Sequence, residues 1–384
     1  MNYPVYLDYN STTPCAPQVI EAMLPWFAEH FGNSASKSHA FGWVAENAVD
    51  EAREQVANLI GAKSKEIVFT SGATEAINLA IKGIFEYYAE GKEKQHYITC
   101  QTEHKAVLDC HAELQKYGAE VTYLPVRSNG TLDLNLLKAS IRPETKMISL
   151  MWANNETGII HPIAEVAKIA QESNVIFFTD AVQAAGKIPV SVSGIHLLAI
   201  SAHKFYGPKG IGALYIRHNH PLPKPLAQIS GGGHEKGFRS GTLNIPAIVG
   251  MGKAAEMRLS EMEKDGNRLK ILRDKLEQRL LELSDTVLNG GQNNRLPHVT
   301  NISFGGVEGE ELLKRVCHKV AVSSGSACSS ITPKPSHVLL AMGVDPDLGR
   351  ASIRFSLGKH TSEQDLSEAG DCIVKVLEML KKRN

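Results

Sequence analysis

From about residue 65 to 217 the chain alternates short apolar, β-rich runs with helical stretches, and this alternation constrains the fold more than any other feature. The runs 67–69, 96–99, 121–124, 147–152, 175–178, 197–200 and 212–216 read as strands. Segments 74–88, 106–117 and 163–173 carry helical periodicity between some of them. The pattern predicts an α/β fold, a mostly parallel sheet with helices on both faces. Ligands of such sheets bind outside the carboxyl ends of the strands. After about residue 245 the texture changes. The span 245–283 is long, charged and helical, and Glu261, Glu263, Lys264, Arg268, Lys270, Arg273, Asp274 and Lys275 are expected on an exposed face. Strands at 300–304, 320–323 and 352–356, with helices at 309–318 and 361–381, predict a smaller α+β C-terminal domain. The expected division is a large domain over 15–255 and a small domain built from 1–14 and 256–384.

Two strand ends carry the chemistry. Lys204 closes an apolar run and precedes a Gly-rich turn at 207–212. A lysine there is desolvated, which lowers its pKa and makes the free amine nucleophilic. Asp180 sits at the equivalent end of the preceding strand. Alone it reads more readily as a helix N-cap. Beside Lys204 it fits a pyridoxal 5′-phosphate (PLP) enzyme, in which lysine forms a Schiff base and a carboxylate partners the pyridinium nitrogen. Gln183, one helical turn on, is placed to donate to the ring's phenolate oxygen.

Other residues at the same sheet edge have two readings each. Ser71-Gly-Ala-Thr74-Glu75 is either a capping sequence or an anion site at a helix N-terminus. Ser201 and His203 are further phosphate donors or a polar strand end. The stretch 231–242 is Gly-rich and hydroxyl-bearing, a weak phosphate signal on its own. Asn154 and Asn155 are turn residues, or Asn155 faces cofactor and substrate. His104 is structural, or it stacks on the ring or shuttles protons. Arg354 alternates with apolar residues in a strand and needs a carboxylate, either a structural Asp or Glu or that of an amino-acid substrate.

Cys328 stands apart, in Ser323-Ser-Gly-Ser-Ala-Cys328-Ser-Ser330, ahead of a Pro-containing loop. Small polar neighbours predict an exposed, reactive thiol. Cys100 reads as core, and Cys317 and Cys372 as structural.

Composition narrows the classes. In 384 residues, Lys+Arg and Asp+Glu are 41 each, so bulk charge does not favour nucleic acid or an anionic membrane. No signal peptide or membrane-spanning run is read, and six sparse cysteines with no Cys-x-x-Cys pair favour a reducing cytoplasm over a disulfide scaffold or zinc ribbon. Metal ligation by histidines and cysteines lacks a zinc-like spacing. A PLP lyase or aminotransferase that does not use Cys328, selenocysteine lyase included, remains a second enzyme reading. A non-catalytic sulfur-carrier or scaffold protein is a third reading, which intact Lys204 and Asp180 disfavour.

Ten motifs in register then resemble the cysteine desulfurases of the NifS/IscS type, with the aspartate-aminotransferase-like PLP fold type I. They include Tyr6-Leu-Asp-Tyr-Asn-Ser-Thr-Thr-Pro14, Thr102-Glu-His-Lys-Ala-Val107, Asn154-Asn-Glu-Thr-Gly158, Asp180-Ala-Val-Gln183, Ser201-Ala-His-Lys204, Arg239-Ser-Gly-Thr242, the Cys328 motif and Ser352-Ile-Arg-Phe-Ser-Leu-Gly358. The resemblance implies roles. Lys204 holds PLP and moves the substrate's Cα proton, and Asp180 pairs with the pyridinium. Gln183 and Asn155 contact the ring-oxygen side, and His104 stacks on the ring. Ala73, Thr74, Ser201 and His203 hold the phosphate. Thr242 reaches the phosphate of a neighbouring subunit, implying a homodimer. Arg354 and Asn155 bind the carboxylate of L-cysteine. The Cys328 thiolate takes the substrate sulfur as a persulfide, leaving L-alanine, and passes it to an acceptor such as an iron–sulfur scaffold. Cys328 is thereby a candidate shared cluster ligand with that scaffold; no other metal site is expected. The short end at Asn384 leans the resemblance toward the NifS-like branch.

Overall fold

The computed structural model describes residues 3–91, 94–218, 224–324 and 335–382. In chain order the strands are β1 (Val5–Tyr6), β2 (Ile67–Thr70), β3 (His96–Cys100), β4 (Glu120–Leu124), β5 (Thr145–Ser149), β6 (Ile176–Asp180), β7 (Leu197–Ser201), β8 (Gly212–Ile216), β9 (Thr286–Leu288), β10 (Val299–Phe304), β11 (Val320–Ala321) and β12 (Ser352–Ser356).

Seven of them form one sheet in the order β2-β8-β7-β6-β5-β3-β4. Pairings from β7 through β4 are parallel, and β8 alone runs against its neighbours. The mostly parallel sheet is as expected. Its strands are buried on both faces, and side chains alternate with period two. In β6, Phe177 packs with helices Ala40–Ile60 and Ile163–Glu172, while Ile176 and Phe178 pack with Ala73–Glu90 and Lys105–Lys116. Helices thus cover both faces.

Antiparallel β12-β10-β9 makes a second, smaller sheet, and β1 pairs in parallel with β11. Ile302, Phe304, Ile353 and Phe355 pack against Leu366, Ile373 and Leu377 of helix Glu363–Lys381 and Leu269, Leu272 and Leu276 of helix Ile245–Leu281. The 37-residue helix Ile245–Leu281 contributes to both this core and the large one. Among the described residues, no helix is long and apolar enough to cross a membrane.

Helix Ala40–Ile60 has no counterpart in the sequence expectations. Its stripe of Ala45, Val49, Ala52, Val56 and Leu59 is buried, and it ends at Gly61 with φ +70, the left-handed cap that glycine adopts without strain. The charged face expected at 261–275 is only partly solvated. Arg273 is buried and donates to Leu296 O and Val299 O; Arg268 donates to the carbonyls of Thr361 and Lys359. These cations tie the long helix to the loops around the smaller sheet. The strand expected over 147–152 spans Thr145–Ser149, and beyond it Leu150 N–H still reaches Phe178 O at 3.1 Å and Trp152 N–H reaches Asp180 O at 2.8 Å, before the chain turns at 154–158. Cys317 is exposed at its helix end rather than structural, while Cys100 is buried as expected.

Candidate active site

Lys204 follows β7 in a single 3-10 turn, Ala202–Lys204, and Asp180 is the last residue of β6. Both line a cavity of about 660 Å³ outside the carboxyl ends of the strands. Ala73, Thr74, His104, Asn155, Gln183, Ser201, His203 and Arg354 line the same cavity. The structure therefore brings together every sequence-predicted site residue but two. Thr242 is exposed and does not line it, and Cys328 lies outside the described residues.

The lysine amine rests on two main-chain carbonyls, Asn10 O at 2.6 Å and Ser11 O at 2.7 Å. Its pKa is pushed down to about 8, first by burial and then by the Arg354 guanidinium, while Asp180 and Asp8 pull it up. Burial pushes the Asp180 carboxyl upward; His104, the Val182 N–H donated to Oδ1 at 3.0 Å, and Lys204 oppose that shift. No regular helix follows Asp180, so it caps a turn through 181–188 that brings Gln183 to the cavity.

Opposite, helix Ala73–Glu90 begins at Gly72 with no side-chain cap. The capping reading of Ser71 and Thr74 therefore gives way, and the first-turn N–H groups remain for an anion. Close packing places this terminus. A Cβ at Gly212 would lie 2.6 Å from Ile200 O and 2.7 Å from Gly72 C, so only glycine lets β8 pass. Glu75 takes the Ser71 N–H at 2.7 Å and the Arg239 Nε–H at 2.8 Å, fixing the 231–242 loop to the same turn.

His104 caps helix Lys105–Lys116, with Nδ1 accepting the Ala106 N–H at 3.1 Å. His203 Nδ1 lies 3.1 Å from Thr12 Oγ1, and its pKa falls to about 4 through burial and then Lys204, Lys209 and Lys187. Of the two kinds of carboxylate its strand position allows, a structural or a substrate one, Arg354 meets a structural one. It donates to Asp8 Oδ1 at 2.7 Å, Ser11 Oγ at 3.0 Å and Asn155 O at 3.0 Å, and its buried Nε has no partner.

Sequence reasoning assigned no role to Asn10, Ser11 or Thr12, although all three line the cavity. Their motif, 6–14, was the available signal. The described flanks of the Cys328 loop also reach this edge. Ser323 exchanges backbone hydrogen bonds with Arg354, and Ser336 Oγ donates to the buried Glu156 carboxylate.

The donor set fits PLP. An uncapped helix N-terminus with nearby hydroxyls suits a phosphate, a buried carboxylate without a salt-bridge cation in the cavity suits a pyridinium, and the lysine amine is poised near neutrality. Comparison with known proteins agrees with this geometry. The aminotransferase class-V family model matches residues 5–368. The cysteine desulfurase IscS of Anaeromyxobacter dehalogenans (strain 2CP-C) is 53% identical over 387 residues, covering 99% of this chain and 95% of the relative. That of Dechloromonas aromatica (strain RCB) is 52% identical over 371 residues, covering 96% of this chain and 91% of the relative. A solved NifS-like protein superposes with a TM-score of 0.90 at 36% identity, covering 98% of this chain and 100% of that one. SspA in complex with cysteine gives 0.82 at 37% identity, covering 93% and 99%. The relatives' names thus fall on both branches, and the lean toward NifS drawn from the sequence end is not reinforced. The chain belongs to the aminotransferase class-V family, within its group of NifS/IscS-type cysteine desulfurases.

Proposed function

We propose that this chain is a PLP-dependent cysteine desulfurase that converts L-cysteine to L-alanine and leaves the sulfur as a persulfide on Cys328. The observation that carries the reading is the pairing of the Lys204 amine and the Asp180 carboxylate at adjacent strand ends of one cavity. When bound there, PLP supplies an electron sink that stabilises negative charge at the substrate Cα. Asp180 would keep the pyridine nitrogen protonated, and His104 would serve the ring face. Ala73, Thr74, Ser201 and His203 hold the phosphate, and Gln183 and Asn155 face the ring oxygen. Arg354 and Asn155 hold the substrate carboxylate. An amine near pKa 8 carries a usable free-base fraction at neutral pH, so Lys204 accepts the Cα proton and returns it.

The sulfur step conserves atoms. The Cys328 thiolate attacks the substrate sulfur, the Cβ–S bond breaks, its electron pair goes to carbon, and a proton completes the methyl group of alanine. The flanks of the loop support this assignment. Ser323 sits against Arg354, and Ser336 against Glu156, the chain neighbour of Asn155, so both described flanks lie beside the residues assigned to the substrate.

The unit in this reading is a homodimer. Leu24, Phe27, Phe31, Phe41 and Trp43 are strongly exposed apolar side chains, and a second copy would bury them while bringing Thr242 to its partner's phosphate. Residues 1–14 and 256–384 act as a small domain that presents the cysteine loop. Free thiols at Cys15, Cys100, Cys110, Cys317 and Cys372 suit a cytoplasmic protein. Its sulfur acceptor is a protein such as an iron–sulfur scaffold.

The test is mass spectrometry after L-cysteine treatment. The peptide holding Cys328 gains one sulfur, and Cys328→Ala keeps the cofactor's colour but releases almost no sulfide. Full release by that variant rejects the assignment.

A further inference from the structure

Asn10 is 1% exposed, and every polar group it has is engaged. Its N–H donates to Ser356 Oγ at 2.9 Å and its Nδ2 to Asn155 O at 3.0 Å. Its carbonyl accepts from Lys204 Nζ and from Gln183 Nε2, at 2.6 and 3.0 Å. Its Oδ1 meets His298 Nε2 at 2.9 Å and Lys187 Nζ at 3.3 Å. Lys187 makes its shorter bond, 2.7 Å, to Gln183 Oε1. Four elements of the site therefore meet at one buried asparagine, with one lysine bracing it from behind.

Lys187 is an unusual occupant. The charged groups that act on it are Lys204, Arg354 and Arg258, all cationic, and buried His298 shares its acceptor. With no carboxylate to neutralise it, its contribution is that of a hydrogen-bond donor to two amide oxygens. An amide side chain is nearly symmetric in shape, so its partners decide which end faces where. Lys187 holds Oε1 of Gln183 away from the cavity. Asn10 O uses one Nε2 hydrogen, and the other is left for the cavity that Gln183 lines.

We propose that Lys187 is a positioning residue that keeps the donor end of Gln183 toward the cavity, and so governs the hydrogen bond Gln183 gives to the cofactor's ring oxygen. The proposal rests on the reading of Gln183 as that donor. Without the lysine, Oε1 is buried and unpaired, and only the Nε2–Asn10 O bond still orients the amide, so one of the two contacts that fix the donor end is lost. The donor is then held less firmly toward the ring oxygen, and the deprotonated form of the cofactor–lysine linkage loses stabilisation.

The experiment is a pH titration of the visible cofactor band in the holoenzyme, for the wild type, Lys187→Met, Gln183→Ala and the double variant. Both single variants raise the titration midpoint by about one pH unit, the size of one hydrogen bond to a charged oxygen. The double variant matches Gln183→Ala alone, because Lys187 acts through Gln183. Lys187→Ala carries the same expectations should methionine not be accommodated. Additive shifts show Lys187 acting through its own charge and overturn the proposal, as does an unmoved midpoint in the Lys187 variants. If Gln183→Ala itself leaves the midpoint unmoved, the proposal falls together with the reading of Gln183.

Discussion

Replacing Glu235 by alanine tests how the loop leading to Thr242 is held. The carboxylate meets Arg53 two-pronged, with NH1 to Oε2 and NH2 to Oε1 at 2.7 Å each, and Oε2 also accepts the Phe69 N–H of β2 at 2.7 Å. Both partners are buried, and Arg53 lies 4.7 Å over the Phe69 ring while donating to Ile67 O. Glu235 and Lys236 have φ of +49 and +59, so two consecutive side chains sit in the left-handed region, the first anchored by the ion pair and the second by its Nζ bond to Lys65 O. Alanine leaves the guanidinium without a counter-charge and the Phe69 amide without this acceptor. Breaking a buried pair from one side costs about 3–5 kcal/mol. With the orphaned amide added, a loss of about 4 kcal/mol is expected. At about 2.1 cal/mol/K of unfolding entropy per residue, that is about 5 °C in a chain of 384 residues. The paired change Arg53→Met with Glu235→Leu removes both charges and costs less than alanine alone. Urea unfolding of the holoenzyme followed by circular dichroism, beside calorimetry, measures both variants. A loss below about 1 kcal/mol for Glu235→Ala, or a double variant weaker than it, refutes the reasoning.

Two further predictions concern residues packed behind the cavity, next to Asn155 and Gly72, which line it. Burial raises the Glu156 carboxyl to about 7, against Ser336 and Arg354, which lower it. The folded state therefore binds more protons than the unfolded one between about pH 4.5 and 7. This contribution is fully present below that window and is lost as pH rises through it. Glu156→Gln removes that decline, so the wild-type stability minus that of the variant falls by about 3 kcal/mol across the window in denaturant titrations; a constant difference rejects the assignment. Gly212→Ala forces a methyl group against the Ile200 carbonyl and the Gly72 backbone, so it costs about 1–3 kcal/mol and weakens cofactor retention on gel filtration; full retention shows that Gly72 moves freely.

The legible part of the site is the part that local sequence controls. Lys204 and Asp180 were readable because an apolar run ends at each, and a parallel sheet sends all such ends to one edge. The Gly72 helix start was half-readable: the Ser, Gly and Thr residues marked a helix N-terminus but could not say whether a side chain capped it. Helix Ala40–Ile60 carries a stripe with period 3.6, at Ala45, Val49, Ala52, Val56 and Leu59, that is legible in the sequence. Arg273 is buried where the helix pattern predicts exposure, because charge patterning along a helix does not reveal a partner 23 residues away at Leu296 O. Arg354 was read correctly as needing a carboxylate, but its owner, Asp8, lies 346 residues away in sequence.

Asn10 marks the limit of such reading. Nothing about an asparagine between Tyr9 and Ser11 says that it will hold the Lys204 amine, because each of its contacts is made by a residue at least 145 positions distant. The consequence is physical. A lysine left among apolar side chains would rotate freely once neutral, whereas two fixed carbonyls at 2.6 and 2.7 Å hold the amine at one place in either protonation state. Those carbonyls are fixed in turn because the Asn10 side chain is tied to Lys187 and His298 behind it and to Asn155 beside it. The strand end brings Lys204 to the cavity, and the N-terminal segment decides where in the cavity its nitrogen sits. The reactive geometry is thus set by the contact between the sheet and a segment that contributes no strand to it.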